Sequence, residues 1–452
     1  MIKRLLLLKM RGDFMKYSFR LSLLAATCLM ASTALAQASN PIIDTAMSKA
    51  DALEQQVIEW RRHIHQNPEL SYQEHNTAAY IKAALETMPG YEIQTGIAQT
   101  GIKAVLKGGK PGPVVALRAD MDALPVQERN DLPFKSTAKG TWQGKEVSVS
   151  HACGHDTHVA MLLGAAKVFS DMRAELPGTI VLLFQPAEEQ GPGKPLSGAN
   201  AMMAEGVLDK PKVDVVMGQH IGPSYPAGSI GYRQGSLMAS GDVFSISLAG
   251  KGGHGSSPWN AASPVVAAAE TVVALNNIIA QRTNPQDGTT VVTVGSLQSG
   301  NRPNVLPESA DISGTVRSLS KQNQATAHEL IQRYAQNIAA NHDLKATVRI
   351  DTGYEVLVSD PKATQTVIPA LDLATDGIGA KEVPPGMGSE DFGAFGKNVP
   401  VVFWRLNASP YSDKMGSPNH SPEFMIDEKA LRIGTRALLA SSLTYMIQSN
   451  KP

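Results

Sequence analysis

VVALRADMD, at residues 114–122, joins a short apolar run to a series of ionisable residues. Its first four residues are apolar and rich in valine, and a continuous run of this length is typical of a strand buried on both faces of a parallel sheet. Similar runs at residues 179–184, 213–217 and 401–404 alternate with stretches of helical periodicity. The pattern predicts an α/β fold in which a central, mostly parallel sheet is covered by helices.

Each apolar run is followed by side chains that can ionise or bind a metal. In chain order, these residues are Asp120, Asp122, Glu188, Glu189, His220 and His420. Parallel sheets bind ligands beyond the carboxyl ends of their strands. Four strand ends that carry such side chains therefore predict a functional site at this edge of the sheet.

Residues 241–352 show a different order of elements. Their patterns predict a strand, a helix, two strands, a helix and a strand. This βαββαβ order is the ferredoxin-like arrangement, an antiparallel sheet with two helices on one face. Because 452 residues exceed the usual size of one hydrophobic core, we expect a larger domain, residues 41–240 and 353–452, interrupted by this smaller α+β domain.

Residues 1–36 are predicted to be a cleavable signal peptide. Lys16 and Arg20 precede an apolar run, and the small-residue triplet at positions 34–36 follows it. Met15 is an alternative start of the chain. The run is too short for a membrane span, and we expect no other segment to cross a membrane. The sequence therefore predicts a secreted, periplasmic protein that is free of the membrane after signal removal.

The charge of the chain is balanced, with 41 lysines and arginines against 41 aspartates and glutamates. Such a balance produces no long-range field that would attract nucleic acid or anionic lipid. The composition, 42% hydrophobic and 18% charged, is that of an ordinary globular protein. We therefore expect a small or locally recognised partner and no nucleic acid.

Cleavage of the signal would remove Cys28 and leave Cys153 as the sole cysteine. A single thiol in an oxidising compartment needs protection by burial or by a metal. Cys153 and His155 are two residues apart, so both side chains leave the same face of an extended segment, and both are good zinc ligands. The alternatives are a buried cysteine beside a hydrogen-bonded histidine, and a redox or nucleophilic thiol that lacks a resolving cysteine.

Glu188 and Glu189 are adjacent carboxylates at a strand end. If both are ionised and buried they repel each other, unless a cation or a shared proton compensates. When Glu189 binds a metal, Glu188 remains free to take a proton from an attacking water. The alternative is a flexible acidic loop, which the rigid Gln-Pro-Ala segment at residues 185–187 disfavours.

Eight segments together resemble the amidohydrolase branch of the co-catalytic, dinuclear metallopeptidases, which includes hippurate hydrolases, N-acyl-amino-acid amidohydrolases and auxin-amino-acid conjugate hydrolases. In order, they are RADMDALPVQE, HACGHDTHVAMLLGAA, QPAEE, GQHIGP, GGHGSSP, NVLPESADISGTVRS, GSEDFGAF and NHSPEF. The resemblance implies a zinc-exopeptidase-like catalytic domain, residues 41–240 and 353–452. It also implies that residues 241–352 form a lid through which subunits assemble into a homodimer or a higher homo-oligomer.

The resemblance further implies roles for individual residues. Two divalent ions, zinc or manganese with cobalt or nickel also compatible, would be bound by Cys153, His155, Glu189, His220 and His420. Cys153 would bridge the two ions, and Glu188 would be the general base. His254 would stabilise the oxyanion, reaching the active site of the partner subunit, or would merely cap a glycine-rich turn. Asn304 would contact the substrate.

Several neighbouring residues are expected to support the site. Asp120 and Asp122 would orient ligand histidines without binding metal themselves, and His151 and His158 would act similarly. Asp156 is predicted to cap the N-terminus of the helix that follows it.

The expected reaction is hydrolysis of the amide bond of an N-acyl amino acid or a short peptide. A dipeptidase or carboxypeptidase of the same superfamily is the alternative enzyme, and a metal-dependent binding protein is the alternative without catalysis. Retention of both Glu188 and Glu189 argues against the last, because binding alone needs no free base. Two departures from typical members, a longer loop after Glu189 and the stretch WNAASP at residues 259–264, leave the substrate open.

Overall fold

The computed structural model describes residues 40–193 and 196–450. The predicted signal peptide, residues 1–36 with Cys28, lies outside the described residues. Two sheets organise the described chain, a large sheet of eight strands and a small sheet of four.

The large sheet is mixed, with its parallel strands at the centre. Its strands, in spatial order, are Tyr91–Ile97, Gly101–Lys107, Pro177–Gln185, Lys110–Asp120, Val215–Pro226, Val401–Ser409, Ile230–Tyr232 and Ala380–Glu382. The third to sixth of these strands are mutually parallel. The α/β prediction is therefore confirmed, and the strands extend beyond the predicted apolar runs, which mark only their buried centres.

Helices cover both faces of the large sheet. They are Glu54–Gln66, His75–Glu86, His155–Asp171, Gly198–Ala204, Pro361–Ala374 and Lys429–Ser449. A further helix, Pro41–Ala52, precedes them in the chain. His155–Asp171 is buried on nearly all sides because it packs between the sheet and the helices Glu54–Gln66 and Lys429–Ser449. This explains why its sequence is apolar all round rather than amphipathic. On the opposite face, Phe392, Phe395 and Met202 form a hydrophobic core with the strands.

The small sheet is antiparallel and lies within residues 241–354. Its strands, in spatial order, are Thr290–Ser299, Ser309–Ser318, Gly241–Ala249 and Lys345–Tyr354. Buried and exposed residues alternate along Gly241–Ala249, because one face packs under the helices Pro264–Arg282 and Lys321–Asn341. The order and packing match the ferredoxin-like arrangement. The division of the chain into domains, and the lid function, remain predictions.

One expectation about membranes needs correction. The helix Pro264–Arg282 is long and apolar enough to cross a membrane by length and composition, although we expected no such segment outside the signal. Its residues Ala267, Ala268, Leu275 and Ile278 pack in the core of the small sheet. Core helices of soluble proteins meet the same two criteria, so this match is weak evidence for a membrane span.

Shorter elements complete the described chain. Three two-stranded ribbons pair Gly253–His254 with Val305–Leu306, Gly235–Met238 with Leu357–Ser359, and Lys139–Trp142 with Lys145–Ser148. Three 3-10 helices cover Arg173–Glu175, Pro258–Asn260 and Asp391–Lys397.

Candidate metal centre

Five predicted metal-binding side chains converge at the carboxyl edge of the large sheet. Donor atoms of Cys153, His155 and His220 lie within 4.8 Å of one another, and so do those of Cys153, Glu189 and His420. Cys153 belongs to both groups. The structure thus brings together two three-residue sets that share one thiol, which is an arrangement suited to two adjacent cations.

Two of the histidine donors direct Nε2 of their imidazole rings toward this centre. Nδ1 of His155 lies 2.8 Å from the main-chain oxygen of Asp122, and Nδ1 of His220 lies 2.7 Å from that of Ile221. A carbonyl oxygen can only accept, so each Nδ1 carries a proton, and Nε2 is the nitrogen of each ring that is left to bind a metal. Nε2 of His220 lies 3.4 Å from Sγ of Cys153.

The other two donors face each other. Nε2 of His420 lies 2.8 Å from Oε1 of Glu189. Hydrogen bonds with Cys153 and Glu189 raise the pKa of His420 to about 10. Burial raises the pKa of the Cys153 thiol. Both shifts describe the centre without a cation, because a bound metal favours the deprotonated ligands.

Left-handed backbone places several of these side chains. Gly154, between Cys153 and His155, has φ of 95°, and His420 and Ala187 have φ of 70° and 49°. Non-glycine residues adopt this region at a cost, and such residues concentrate at functional sites. The turn at Ala187 precedes Glu188 and Glu189 and is held by Glu74, whose Oε1 accepts a hydrogen bond from the Ala187 amide at 2.9 Å.

Gly154→Ala is expected to weaken metal binding and to destabilise the fold by roughly 1 to 3 kcal/mol. A Cβ at Gly154 would collide with Cγ2 of Ile221 in addition to straining φ. We expect relief of the collision and of the strained φ to displace Cys153 and His155, which flank Gly154. Metal content per chain and chemical denaturation would measure the two effects.

Gly144→Ala is the matched control, because Gly144 also has a positive φ, of 76°, but a Cβ there meets nothing within 4 Å. It should lower stability without changing metal content. Equal metal content in the Gly154→Ala variant and the wild-type protein would contradict the role assigned to this turn.

Asp122 organises the centre without binding in it. Its Oδ1 accepts a hydrogen bond from the Glu188 amide at 3.1 Å, and its Oδ2 accepts from the Glu189 amide at 3.0 Å. Its main-chain oxygen orients His155, as described above. Ser71 donates a further hydrogen bond to Oδ2 at 2.7 Å. Asp122 therefore connects both glutamates to His155, and its supporting role remains a prediction.

Each carboxylate oxygen of Asp120 has a partner within the protein. Arg118 donates to its Oδ2 at 2.7 Å, and Nδ1 of His158 contacts its Oδ1. Nε2 of His158 in turn accepts a hydrogen bond from the amide of Ile221 at 2.8 Å, next to His220. His158 thus has a supporting position, whereas His151 is buried and forms no side-chain hydrogen bond with the described residues.

Glu188 lies in a strongly acidic environment. Burial, together with the carboxyl groups of Glu390, Glu189 and Asp391, raises the pKa of Glu188 well above its ordinary value. Oε2 of Glu188 lies 3.9 Å from Nε2 of His155. Arg118 is buried and contacts Glu390 at 2.9 Å and Asp391 at 2.8 Å, so its positive charge is already shared with those carboxylates and with Asp120.

These residues fit a pair of divalent cations. Nε2 of His155 is buried and accepts no hydrogen bond from the part of the chain that the structure describes. A cation would satisfy this lone pair and would offset the repulsion between the carboxylates. The donor set of sulfur, imidazole nitrogen and carboxylate oxygen is typical of transition-metal sites.

A cavity of about 640 Å³ opens onto these donors. Among the residues that line it, those that sequence patterns did not single out include Arg317, Tyr354, Arg405 and Asn419. The Tyr354 hydroxyl donates to the main-chain oxygen of Glu188 at 3.0 Å, and Asn419 Nδ2 donates to that of Cys153 at 2.9 Å. Asn419 lies in the segment NHSPEF and Arg317 lies in NVLPESADISGTVRS, so both had a usable signal, whereas Tyr354 and Arg405 occur in no recognisable local pattern.

His254 and Asn304 lie together but away from the metal-binding residues. His254 pairs with Val305, and the amide of Gly255 donates to the main-chain oxygen of Asn304 at 3.0 Å. Neither is among the described residues that line the cavity. Their roles at the active site therefore stay predictions, which require that the lid of one subunit reach the cavity of another.

The prediction that Asp156 caps a helix is wrong. The helix begins at His155, and Gly154 holds the N-cap position with its left-handed backbone. Asp156 lies inside the first turn, where its Oδ2 accepts a hydrogen bond from Arg61 at 2.7 Å and contacts His65 at 2.9 Å. Its carboxylate therefore links the helix His155–Asp171 to the helix Glu54–Gln66 and does not cap either one.

Comparison with known proteins identifies the family. Residues 116–443 match the family described as Peptidase family M20/M25/M40. The chain is 36% identical over 414 residues to thermostable carboxypeptidase 2 of Saccharolobus solfataricus, covering 91% of this chain and 100% of that protein. It is 40% identical over 309 residues to the N-acyl-L-amino acid amidohydrolase of Geobacillus stearothermophilus, covering 68% and 79%.

A solved structure leads to the same family. The chain matches a dinuclear metal binding peptidase of the M20 family from Bacillus subtilis with a TM-score of 0.73 and 32% identity, covering 88% of this chain and 99% of that one. The resemblance stated from the sequence is thus confirmed, and the relatives are hydrolases of amide bonds. The chain belongs to peptidase family M20/M25/M40.

Proposed function

We propose that this protein is a metal-dependent amidohydrolase that cleaves the amide bond of N-acyl amino acids. The observation that carries the proposal is the convergence of Cys153, His155, Glu189, His220 and His420 on one cavity with Glu188 beside them. The likeness to an N-acyl-L-amino acid amidohydrolase supports this choice of substrate.

We assign two divalent ions to these five side chains, with Cys153 between them. Zinc or manganese agrees best with the donors, and cobalt or nickel is also compatible. A divalent ion bound there would polarise the scissile carbonyl and lower the pKa of water.

Glu188 is positioned to move the proton. Its Oε2 faces His155, and its Oε1 lies 3.4 Å from the amide of Asp391, so the carboxylate is held in the cavity wall. It takes a proton from the attacking water as the oxygen–carbon bond forms. It then passes this proton to the amide nitrogen as the carbon–nitrogen bond breaks.

His254 has the tautomer that an oxyanion donor needs. Its Nδ1 accepts a hydrogen bond from the amide of Ser256 at 3.1 Å, so Nε2 carries the proton and can donate. We propose that it stabilises the tetrahedral oxyanion in the partner's cavity and that Asn304, next to it, contacts the same substrate. Removal of a positioned donor of this kind typically raises the activation free energy by roughly 3 to 4 kcal/mol.

A substrate panel tests the proposal. We expect kcat/KM for N-acyl amino acids to exceed that for dipeptides and longer peptides by roughly ten-fold or more. The likeness to a carboxypeptidase favours a second candidate, removal of a C-terminal residue from a peptide. Preference for free peptides would support that candidate, and binding without any hydrolysis by the metal-loaded protein would support a binding protein.

Export and assembly are also proposed. The predicted signal peptide supports export to the periplasm, which N-terminal mass analysis of the mature protein would test.

Exposed apolar residues on the helix Pro264–Arg282, including Val266 and Val273, support self-association through residues 241–352. Light scattering should give a dimer or a larger homo-oligomer, and a monomer would contradict this assignment.

A further inference from the structure

Arg405 shares a sheet face with a proposed metal ligand. It lies on the strand Val401–Ser409 and is the register partner of His220 on the adjacent parallel strand. Register partners in parallel strands point to the same side of the sheet. On its other side, Arg405 pairs with Gly231, and Val383 fills the space that a side chain at Gly231 would take. The Arg405 side chain therefore extends on the same side of the sheet as His220, next to the metal centre.

The position of the guanidinium is restricted by backbone. A Cβ added at Gly386 would collide with Nη2 of Arg405, so the guanidinium rests against a residue that leaves room for it. The group lines the 640 Å³ cavity and also a second cavity of about 490 Å³. Apolar residues of the second cavity include Tyr225, Val383 and Met415. Arg405 thus occupies the junction between the metal centre and an adjoining apolar space.

The charge of Arg405 has no protein counterpart among the residues that the structure describes. Its half-buried guanidinium forms no hydrogen bond or ion pair with them, and burial alone lowers its pKa. Arg118, by contrast, is paired with three carboxylates, and Arg317 donates to the hydroxyl of Ser389. A partly desolvated charge is costly unless an anion compensates for it.

We propose that Arg405 binds a carboxylate group of the substrate. A guanidinium presents two parallel N–H donors that match a carboxylate, and partial desolvation strengthens the interaction. The inference rests on the proposed function, because N-acyl amino acids carry a free α-carboxylate. A carboxylate on the acyl group is the other source of the same chemistry. Arg405 is then a substrate-binding residue that selects anionic substrates.

Four substrates distinguish the α-carboxylate from an acyl carboxylate as the group that Arg405 binds. They combine an N-butyryl or an N-succinyl group, which have equal chain length, with one amino acid given either as the free acid or as the α-carboxamide. If Arg405 binds the α-carboxylate, Arg405→Met should lower kcat/KM for both free acids by roughly 10- to 100-fold and leave the carboxamides unchanged. If it binds an acyl carboxylate, only the succinyl compounds should lose activity. Arg405→Lys should recover part of the loss, because it keeps the charge without the paired donors.

Lys414→Met is the matched control, because Lys414 is a cation in the wall of the second cavity only. It should leave the preference for anionic substrates unchanged. Equal losses for all four substrates in the Arg405→Met variant, no loss at all, or the same loss in the control would each overturn the inference.

Dissociation constants measured in the Glu188→Gln background provide a readout without turnover. There, Arg405→Met should weaken binding of the recognised carboxylate substrate by the same factor and leave binding of its uncharged analogue unchanged. If the wild-type protein hydrolyses none of the four compounds, the proposed function fails. The binding comparison then still decides the role of Arg405.

Discussion

Glu188→Gln is expected to lower kcat for N-acyl amino acid hydrolysis by about 10²- to 10⁴-fold while the variant retains its metal ions. Glutamine has nearly the same size as glutamate but cannot accept a proton from water. The five proposed ligands keep their supports, because Asp122 bonds to the main-chain amide of Glu188 and not to its side chain. Steady-state kinetics and metal analysis of the same preparation would measure both properties.

Glu355→Gln is the control for this substitution. Glu355 lies next to Tyr354, which contacts Glu188, but its own carboxylate pairs with Lys397 at 2.7 Å. We expect its kcat to stay within about two-fold of the wild-type value, since exposed ion pairs contribute little. Near-normal turnover by the Glu188→Gln variant would refute the assignment of the general base. A parallel loss of metal would show that Glu188 binds the ions rather than moving a proton.

Arg118→Met is expected to destabilise the protein by about 3 to 5 kcal/mol, because it leaves buried carboxylates without their cation. The guanidinium has no exposed surface and contacts Asp120, Glu390 and Asp391 at 2.7, 2.9 and 2.8 Å. Urea denaturation of the metal-depleted protein would isolate this effect from metal binding. Arg349→Met, which removes an exposed ion pair with Asp351, should cost less than about 1 kcal/mol.

The loss of folding stability caused by Arg118→Met should depend on pH. Burial opposes ionisation of Asp120, but Arg118 and the nearby histidines hold its pKa well below the ordinary value. Without Arg118, the pKa of Asp120 rises. The folded variant therefore takes up protons as the pH falls, which reduces the repulsion among the buried carboxylates. The deficit should therefore be larger near about pH 8 than near about pH 5. A deficit independent of pH would show that lost packing, and not charge, is the cause.

Much of the fold follows from sequence patterns because each pattern has a direct physical cause. Apolar runs such as residues 114–117 become central strands, since parallel strands covered on both faces must be apolar throughout. The position of the site follows as well, because the parallel register sets Asp120 opposite Gln185 and Arg118 opposite Gly218, two residues before His220. The strand that carries His220 nevertheless continues to Pro226. The extended segment predicted for Cys153 and His155 is wrong, because Gly154 between them is left-handed and a helix begins at His155.

Other features depend on geometry that no local pattern contains. The spacing of Leu53, Val57, Ile58 and Trp60 predicts a single helix over residues 44–65, but the structure has two helices there, with a break at Leu53. Aspartate is a favoured N-cap residue, but the N-cap is Gly154, two residues before Asp156. Arg405 enters the cavity through its register with His220, and sheet register between distant strands is a tertiary property.

The reactivity of Cys153 toward a small thiol reagent, before and after treatment with a chelator, tests the central claim most directly. Cys153 is the sole cysteine of residues 37–452, and it is buried but lines the cavity, so the signal comes from a single thiol. If Cys153 bridges two cations, labelling should become several-fold faster after chelation than in the metal-loaded protein, and should slow again when zinc or manganese is restored. Equal labelling rates in all three states would contradict a metal centre built on this residue.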